Sequence, residues 1–432
     1  MKILWITNML IGELSKAIHG RTSNGLWIEA ALFEFQKQNE HEIVIATVGK
    51  ITKTRKLKEE NVTYYLVPDS NRTHYNPNKV KNQRAWMEII NNEKPDLIHI
   101  WGTEFKHGLC AQLAMQRFSP NKKIPTLIYM QGVIAEIAYY YYAGMTFNEI
   151  IKNTTIRDFA KCDTIFAQKR SYEKRSIFEA KMMNMADGVI VENEWCKTHV
   201  HNIAPNVAFH NLPLNINRCF AEKEWNVKNS GTINLICNAT GYPLKGLHML
   251  LKALSVVKEK YPDIILNIPG KNLEKKSKFS FLFGSSYSLY INRLIRKFGL
   301  EKNVHWLGTL SQRQLADFMV TCNVFILCSA LENHSSSLKE AMLLGMPCIA
   351  SNVGGISEYV INGVNAILYR YDDYLELASN INCLLKDSAK SQRLSLKAKR
   401  QMSTLHDEGV EYKKLCAIYQ SYIGTPSSDN VA

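Results

Sequence analysis

Apolar residues recur along this chain in short unbroken runs, separated by longer stretches in which they return every third or fourth position. The runs lie at residues 2–7, 42–47, 62–67, 96–101, 126–130 and 186–192, and again at 233–237, 264–268, 304–307, 324–328 and 348–351. Runs of this length, rich in Ile, Val and Leu, predict strands buried on both faces of a parallel sheet. Between them lie helical patterns. Ser23 and Asn24 precede a stretch carrying Leu26, Ala30, Ala31, Phe33 and Phe35, and Lys245-Gly246 heads another amphipathic stretch. Three serines, Ser335 to Ser337, precede Leu338, Ala341, Met342 and Gly345, and Pro347 closes that helix. Gly354-Gly355 predicts a tight turn into a further helix from Ile356. Strands alternating with helices predict the α/β class.

A chain of 432 residues is too long for one simple core, so two domains are expected. Residues 211–215, with the polar stretch at 221–230, form the linker candidate. The predicted division is a first domain over 1–215 and a second over 216–405. A helix over 406–423 and a disordered tail over 424–432 follow.

In such sheets ligands bind at the carboxyl ends of the strands, where helix amino termini offer free N–H groups to phosphate. The loop after residues 324–328 carries Glu332, a carboxylate with no evident packing role, and Glu340 stands eight positions on. Ser337-x-x-Glu340 also reads as a capping box, so Glu340 has two readings: ligand contact or helix cap. Lys245 sits at a strand-to-helix junction, where an ammonium neutralises a diphosphate or is simply solvated. In the first half, the loop after residues 96–101 carries Glu104 and His107, candidates for an acceptor side, and the next strand ends in Gln131, whose amide both donates and accepts. The tyrosine run at 139–142 reads as packing or as a sugar-stacking or lipid-contacting surface.

Composition narrows the partners. Hydrophobic content of 46 % and aromatic content of 10 % are those of an ordinary globular protein. The amino terminus lacks the pattern of a signal peptide, and no apolar stretch is long enough to span a bilayer. Ten cysteines without CxxC pairs or metal spacing predict reduced, buried thiols and a cytoplasmic location, with no zinc site. A net charge of +14 fits phosphorylated substrates or an anionic membrane face; nucleic-acid motifs are missing. Basic residues gather at 50–58 and at 271–278 before the aromatic run FSFLF; each is a solvated loop or a rest for lipid headgroups at the inner face of the membrane. No Gly-x-Gly-x-x-Gly follows a strand, which disfavours a nicotinamide dehydrogenase.

Glu-x7-Glu at 332 and 340, followed by AMLLGMPCIASNVGGISEYVINGV, resembles the donor block of retaining, family-4 type glycosyltransferases of the GT-B fold. The resemblance implies two Rossmann-like domains facing a cleft. It implies transfer of a sugar from a nucleotide-sugar, with anomeric configuration kept, to a glycan or lipid-linked glycan in polysaccharide or glycoconjugate biosynthesis. No metal or other cofactor is expected. On that resemblance Glu332 meets the donor sugar hydroxyls and Glu340 the ribose. Lys245-Gly246 and the N–H groups near Ser335, Ser336 and Ser337 face the diphosphate; Gly25, all that remains of a glycine-rich turn, faces it too or simply caps its helix; and Leu307, Gly308 and Leu310 hold the base. Gln131 stands near the reacting sugar, where many relatives carry histidine, and the terminal helix returns to the first domain. The chain departs from the pattern at His334-Ser335, where an aromatic and a glycine are common. It departs again before Lys245, where Ala239, Thr240 and Gly241 replace an expected arginine. These departures keep open a donor-binding but catalytically weak partner protein, and the fold also hosts nucleotide-sugar epimerases and phosphorylases.

Overall fold

The computed structural model describes residues 1–20, 26–69, 75–121, 123–213, 216–226, 231–239, 241–273, 284–405 and 409–424. Gly25 and its flanking cap residues, most of the second basic cluster with FSFLF, and the tail beyond 424 lie outside them.

The chain divides into two compact units. The first comprises Met1–Ala135, Glu173–Asn215 and Asp407–Ala432; the second comprises Glu136–Tyr172 and Ile216–His406. Relative to the sequence expectation, residues 136–172 change sides. Their polar groups, side-chain and backbone, explain why: Asp158 accepts from the Ser286 N–H and hydroxyl (2.6 and 2.7 Å), and the Ala143 carbonyl accepts from Tyr371 (2.8 Å) and contacts His248 Nε2 (3.0 Å). Tertiary hydrogen bonds of this kind leave no local pattern.

In the first unit the strands are β1 (Lys2–Thr7), β2 (Glu42–Gly49), β3 (Arg55–Glu59), β4 (Val62–Pro68), β5 (Leu97–Trp101), β6 (Thr126–Tyr129), β7 (Gly188–Val191) and β8 (Ala208–Asn211). They form one sheet in the order β3-β4-β2-β1-β5-β6-β7-β8, parallel except for β3. β3 falls in the first basic cluster, which the sequence reading treats as a loop. Its side chains are all exposed, and it survives as a charged edge strand whose lysines discourage further pairing. Two apolar layers flank the sheet, one around Leu4, Val44, Trp86 and Ile98, the other around Ile3, Trp5, Phe35 and Ile45. The helix Val410–Ile423 completes the second layer: Tyr419 is fully buried there, with its hydroxyl 2.5 Å from His99 Nδ1. Burial drives the His99 pKa down to about 3, so this ring is neutral in the fold.

The second unit adds β9 (Asn234–Ile236), β10 (Ile265–Pro269), β11 (Val304–Gly308), β12 (Val324–Leu327), β13 (Cys348–Ser351) and β14 (Ile367–Tyr369). All pair in parallel in the order β11-β10-β9-β12-β13-β14. The helix expected from Ile356 is a single 3-10 turn, Ile356–Glu358. Asn365 stops it: its Oδ1 accepts the Ile361 N–H (2.8 Å) and its Nδ2 donates to the Tyr359 carbonyl (2.9 Å), taking over groups a longer helix would pair.

Candidate active site

β9 and β12 are neighbours in the second sheet, so the loops after them emerge side by side at its carboxyl edge. The loop after β9 ends in a 3-10 turn, Pro243–Lys245, and Gly246 begins the helix Leu247–Lys260. Gly246 has φ +71°, and a Cβ there would collide with the carbonyl oxygen of Cys328 at the end of β12. That close approach, with the Ala330 N–H on the Leu244 carbonyl (2.7 Å), clamps the two loops together. Glycine is required here both for its backbone angle and for its missing side chain.

The clamp brings Lys245 to Glu332. Nζ lies 2.7 Å from Oε1, which also accepts from the Ser329 hydroxyl at 2.5 Å. The lysine side chain is 28 % exposed and the carboxylate 12 %. Burial pulls the Lys245 pKa down, but the adjacent Glu332 carboxylate more than reverses this, leaving the ammonium above its ordinary range. The Glu332 backbone is held from the other side by the Gly354-Gly355 turn. The Gly355 N–H reaches the Glu332 carbonyl (3.3 Å), and a side chain at Gly354 (φ +54°) would strike that same carbonyl. The sequence reading treats Gly354-Gly355 only as a turn; its second role is to let the Glu332 loop lie flat against it.

The helix Ser336–Leu343 is capped by Ser335, whose hydroxyl accepts from the Leu338 N–H (3.4 Å). Ser337 lies within the first turn and is not the cap, so the capping-box reading of Glu340 does not hold. The Ser336 and Ser337 N–H groups have no partner among the described residues, as befits a helix amino terminus. His334 meets the Tyr359 ring edge-on at 4.7 Å. Glu340 is half-buried, and its carboxylate makes neither hydrogen bond nor ion pair among the described residues. Burial raises its pKa to about 8. A partly dehydrated carboxyl with no internal donor suits a ligand that brings its own hydroxyls. At the end of β11, Gly308 (φ +72°) gives its carbonyl to the Gly270 N–H (2.7 Å), and Leu307 and Leu310 flank it, half-buried.

In the first unit a second polar group forms where β1, β5 and β6 end. Gly102, with φ +93°, has the side chains of Glu104, Asn8 and Gln131 packed where a Cβ would stand. Asn8 Nδ2 donates to Glu104, and Gln131 Nε2 donates to the Trp101 carbonyl (3.1 Å). Burial raises Glu104 to about 7, although its own backbone N–H and nearby Arg175 oppose the rise. Behind it Glu179 is fully buried, accepting from Thr103 (2.5 Å) and the Ile134 N–H (2.9 Å), and burial raises it to about 8. Asn8, Arg175 and Glu179 escape the sequence reading. Arg175 and Glu179 sit four apart in a charged helix, Ile165–Asn184, with nothing local to mark them as inward. His107 is not an exposed loop residue as the acceptor expectation requires. It is 1 % exposed, stacked on Trp86, and its Nε2 lies 2.9 Å from the Thr7 carbonyl, so it braces β1.

Among the described residues no three His, Cys, Asp or Glu side chains gather as a metal site, and no helix is long and apolar enough to cross a membrane.

Residues 221–401 match the family "Glycosyl transferases group 1". An uncharacterized glycosyltransferase, YqgM, from Bacillus subtilis is 25 % identical over 178 residues, 41 % of this chain and 46 % of that protein. Glycogen synthase from Mycobacterium tuberculosis is 26 % identical over 38 % of this chain and 36 % of its own length. The chain thus aligns with less than half the length of these curated relatives. Across nearly its whole length it superposes on sucrose-phosphate synthase from Thermosynechococcus elongatus, with TM-score 0.71, 15 % identity and coverage of 98 % and 99 % of the two chains. Anabaena HepE, solved with UDP and glucose, gives TM-score 0.67 at 15 % identity, covering 98 % of this chain and 100 % of its own. The chain has the GT-B fold, and its segment 221–401, which holds Lys245, Glu332 and Glu340, matches the group 1 glycosyl transferase model.

Proposed function

We propose that the chain is a retaining, metal-independent glycosyltransferase. It moves a sugar from a nucleotide-sugar to a glycan or lipid-linked glycan, in polysaccharide or glycoconjugate synthesis at the cytoplasmic side of a membrane. The observation that carries this reading is the Lys245–Glu332 pair, set beside a serine-capped helix terminus in the family-matched segment. Cleaving an anomeric carbon–phosphate bond places growing negative charge on the leaving diphosphate. Fixed donors aimed at that charge are the largest catalytic contribution such a site makes. The Lys245 ammonium and the Ser336 and Ser337 N–H groups supply them, and the ordinary metal-free amine and amide donors suffice for the purpose. Glu332 holds the sugar hydroxyls while keeping Lys245 charged. Glu340 takes the ribose, Gln131 serves the reacting sugar, and Glu104 belongs to the acceptor side. With no separate nucleophile required, the acceptor oxygen attacks on the face the diphosphate leaves, and a diphosphate oxygen takes its proton.

UDP-sugars are the first donors to test, because the HepE structures that share this fold hold UDP and glucose. Thermal shift against UDP-, GDP- and ADP-sugars should show stabilisation by one nucleotide class. With that donor, Glu332→Gln and Lys245→Ala should each lower transfer about 10²–10³-fold, and chelator should leave it unchanged. Near-wild-type turnover in both variants refutes the assignment, and no shift with any nucleotide-sugar refutes the function.

A further inference from the structure

Residues 136–172 send Tyr141, Met145, Ile150 and Ile165 into the core yet leave other large apolar side chains outside. In the helix Phe147–Asn153, Asn153 is buried and Glu149 accepts from Tyr290 (2.7 Å), while Phe147 and Ile151 are 65 % and 51 % exposed. The helix Ile156–Ala160 repeats the arrangement: Asp158 is buried, and Ile156 and Phe159 are 52 % and 77 % exposed. Glu149, Asn153 and Asp158 are thus turned inward as anchors, beside the buried Ile150, while Asn148 and Lys152 stay exposed. Besides the Asp158 bonds to Ser286, Thr155 donates to the Gly284 carbonyl (2.9 Å), and Arg293 donates to the Lys152 carbonyl (2.7 Å) and to Asn153 Oδ1 (2.9 Å). Phe147, Ile151, Ile156 and Phe159 are left facing water. Phe147 also leans on Phe166 (5.4 Å), which touches Tyr142, and Lys169 lies over the Tyr142 ring at 5.1 Å.

Charge identifies the occupant. The acids of this stretch are engaged: Glu149 with Thr146 and Tyr290, Asp158 with Ser286, and Asp163 with Gln168 (2.9 Å). The exposed charges between Phe147 and Arg170 are Lys152, Lys161 and Arg170, all basic. Exposed aromatic and aliphatic side chains among unopposed cations match the interface of an anionic bilayer, where rings enter the headgroup boundary and cations meet phosphate. A second copy of the same face would instead oppose like charges.

We propose that the face bearing Phe147, Ile151, Ile156 and Phe159 docks the protein on an anionic lipid surface. It differs from the two basic clusters singled out in the sequence, and it stands independently of the sugar-transfer reading. The test is sedimentation of the full chain with phosphatidylcholine vesicles and with vesicles in which about a third of the lipid is phosphatidylglycerol. Wild-type protein should bind the anionic vesicles at least about tenfold more tightly, and less so in high salt. Phe147→Ser/Phe159→Ser should reduce that binding at least about tenfold. Lys152→Glu/Lys161→Glu/Arg170→Glu should abolish the anionic preference. Nucleotide-sugar thermal shift in the same variants should match wild type, which certifies their folding and separates this proposal from the proposed function. Wild-type protein that ignores anionic vesicles, or variants that bind them as well as wild type, overturns the proposal. Self-association that is lost in the serine variant, without loss of vesicle binding, also overturns it and gives the face to a second copy.

Discussion

Removing the carboxylate of Glu340 should make the unliganded protein more stable while weakening its hold on nucleotide. The charge lies where protein displaces water, with no internal donor among the described residues, and its pKa rises from 4.5 to about 8. A carboxyl that binds its proton more tightly folded than unfolded favours folding below pH 4.5. That advantage fades as pH rises and is gone above about 8. At about 1.4 kcal/mol per tenfold, the full displacement corresponds to about 5 kcal/mol. Glu340 is only half-buried, so solvent screening reduces this, and about 2 kcal/mol is the working figure. Glu340→Gln keeps the shape and deletes the charge. Its melting temperature should exceed that of wild type by about 4–8 °C at pH 8, for a domain of this size. The gain should shrink as the pH is lowered toward 5. Added nucleotide-sugar should stabilise wild type and do markedly less for the variant. The assay is thermal unfolding at several pH values, with and without ligand. A variant that melts below wild type at pH 8 would refute the reasoning, since Glu340 would then have a favourable internal partner.

Other expectations follow from the same geometry. Gly246→Ala must accommodate a positive φ and a collision with the Cys328 carbonyl, so it should lose about 3 kcal/mol or more, read by urea denaturation. Glu104 titrates near pH 7, so acceptor-dependent transfer should show an inflection there that is missing in Glu104→Gln, whereas donor hydrolysis without acceptor should not. Because Glu179 lies behind it and also titrates late, the wild-type inflection belongs to the pair, and Glu179→Gln should move it to lower pH. His210→Phe breaks a 2.8 Å contact with the Tyr422 hydroxyl and should loosen the terminal helix, seen as earlier hydrogen exchange of residues 410–423.

The sequence reveals most where periodicity and chemistry coincide. Buried parallel strands announce themselves as Ile- and Val-rich runs, so both sheets are readable, as is the placement of Glu332 and Lys245 after strands and of Glu340 in the helix that follows. Short edge strands are not: β3 is almost wholly charged, and β8 carries half-exposed residues. The misplacement of the helix cap arose because Ser335 and Ser337 have the same capping chemistry; backbone geometry alone chooses between them. His107 looked available because it follows a strand, yet its ring stacks inward on Trp86. Residues 136–172 resisted reading altogether, since their loyalties rest on Asp158, His248 and Tyr371 meeting partners distant in sequence.

The interleaved division of the chain bears on how it is made. Neither unit is a continuous stretch, because Glu136–Tyr172 is lent by one half and Asp407–Ala432 by the other. On the ribosome the first sheet emerges early, but the groove over Trp5 and His99 stays open until Tyr419, 320 positions after His99, arrives to fill it. A gene cut at the apparent midpoint should therefore yield two fragments that each expose a raw apolar flank, and co-expression of the halves should rescue solubility that neither has alone.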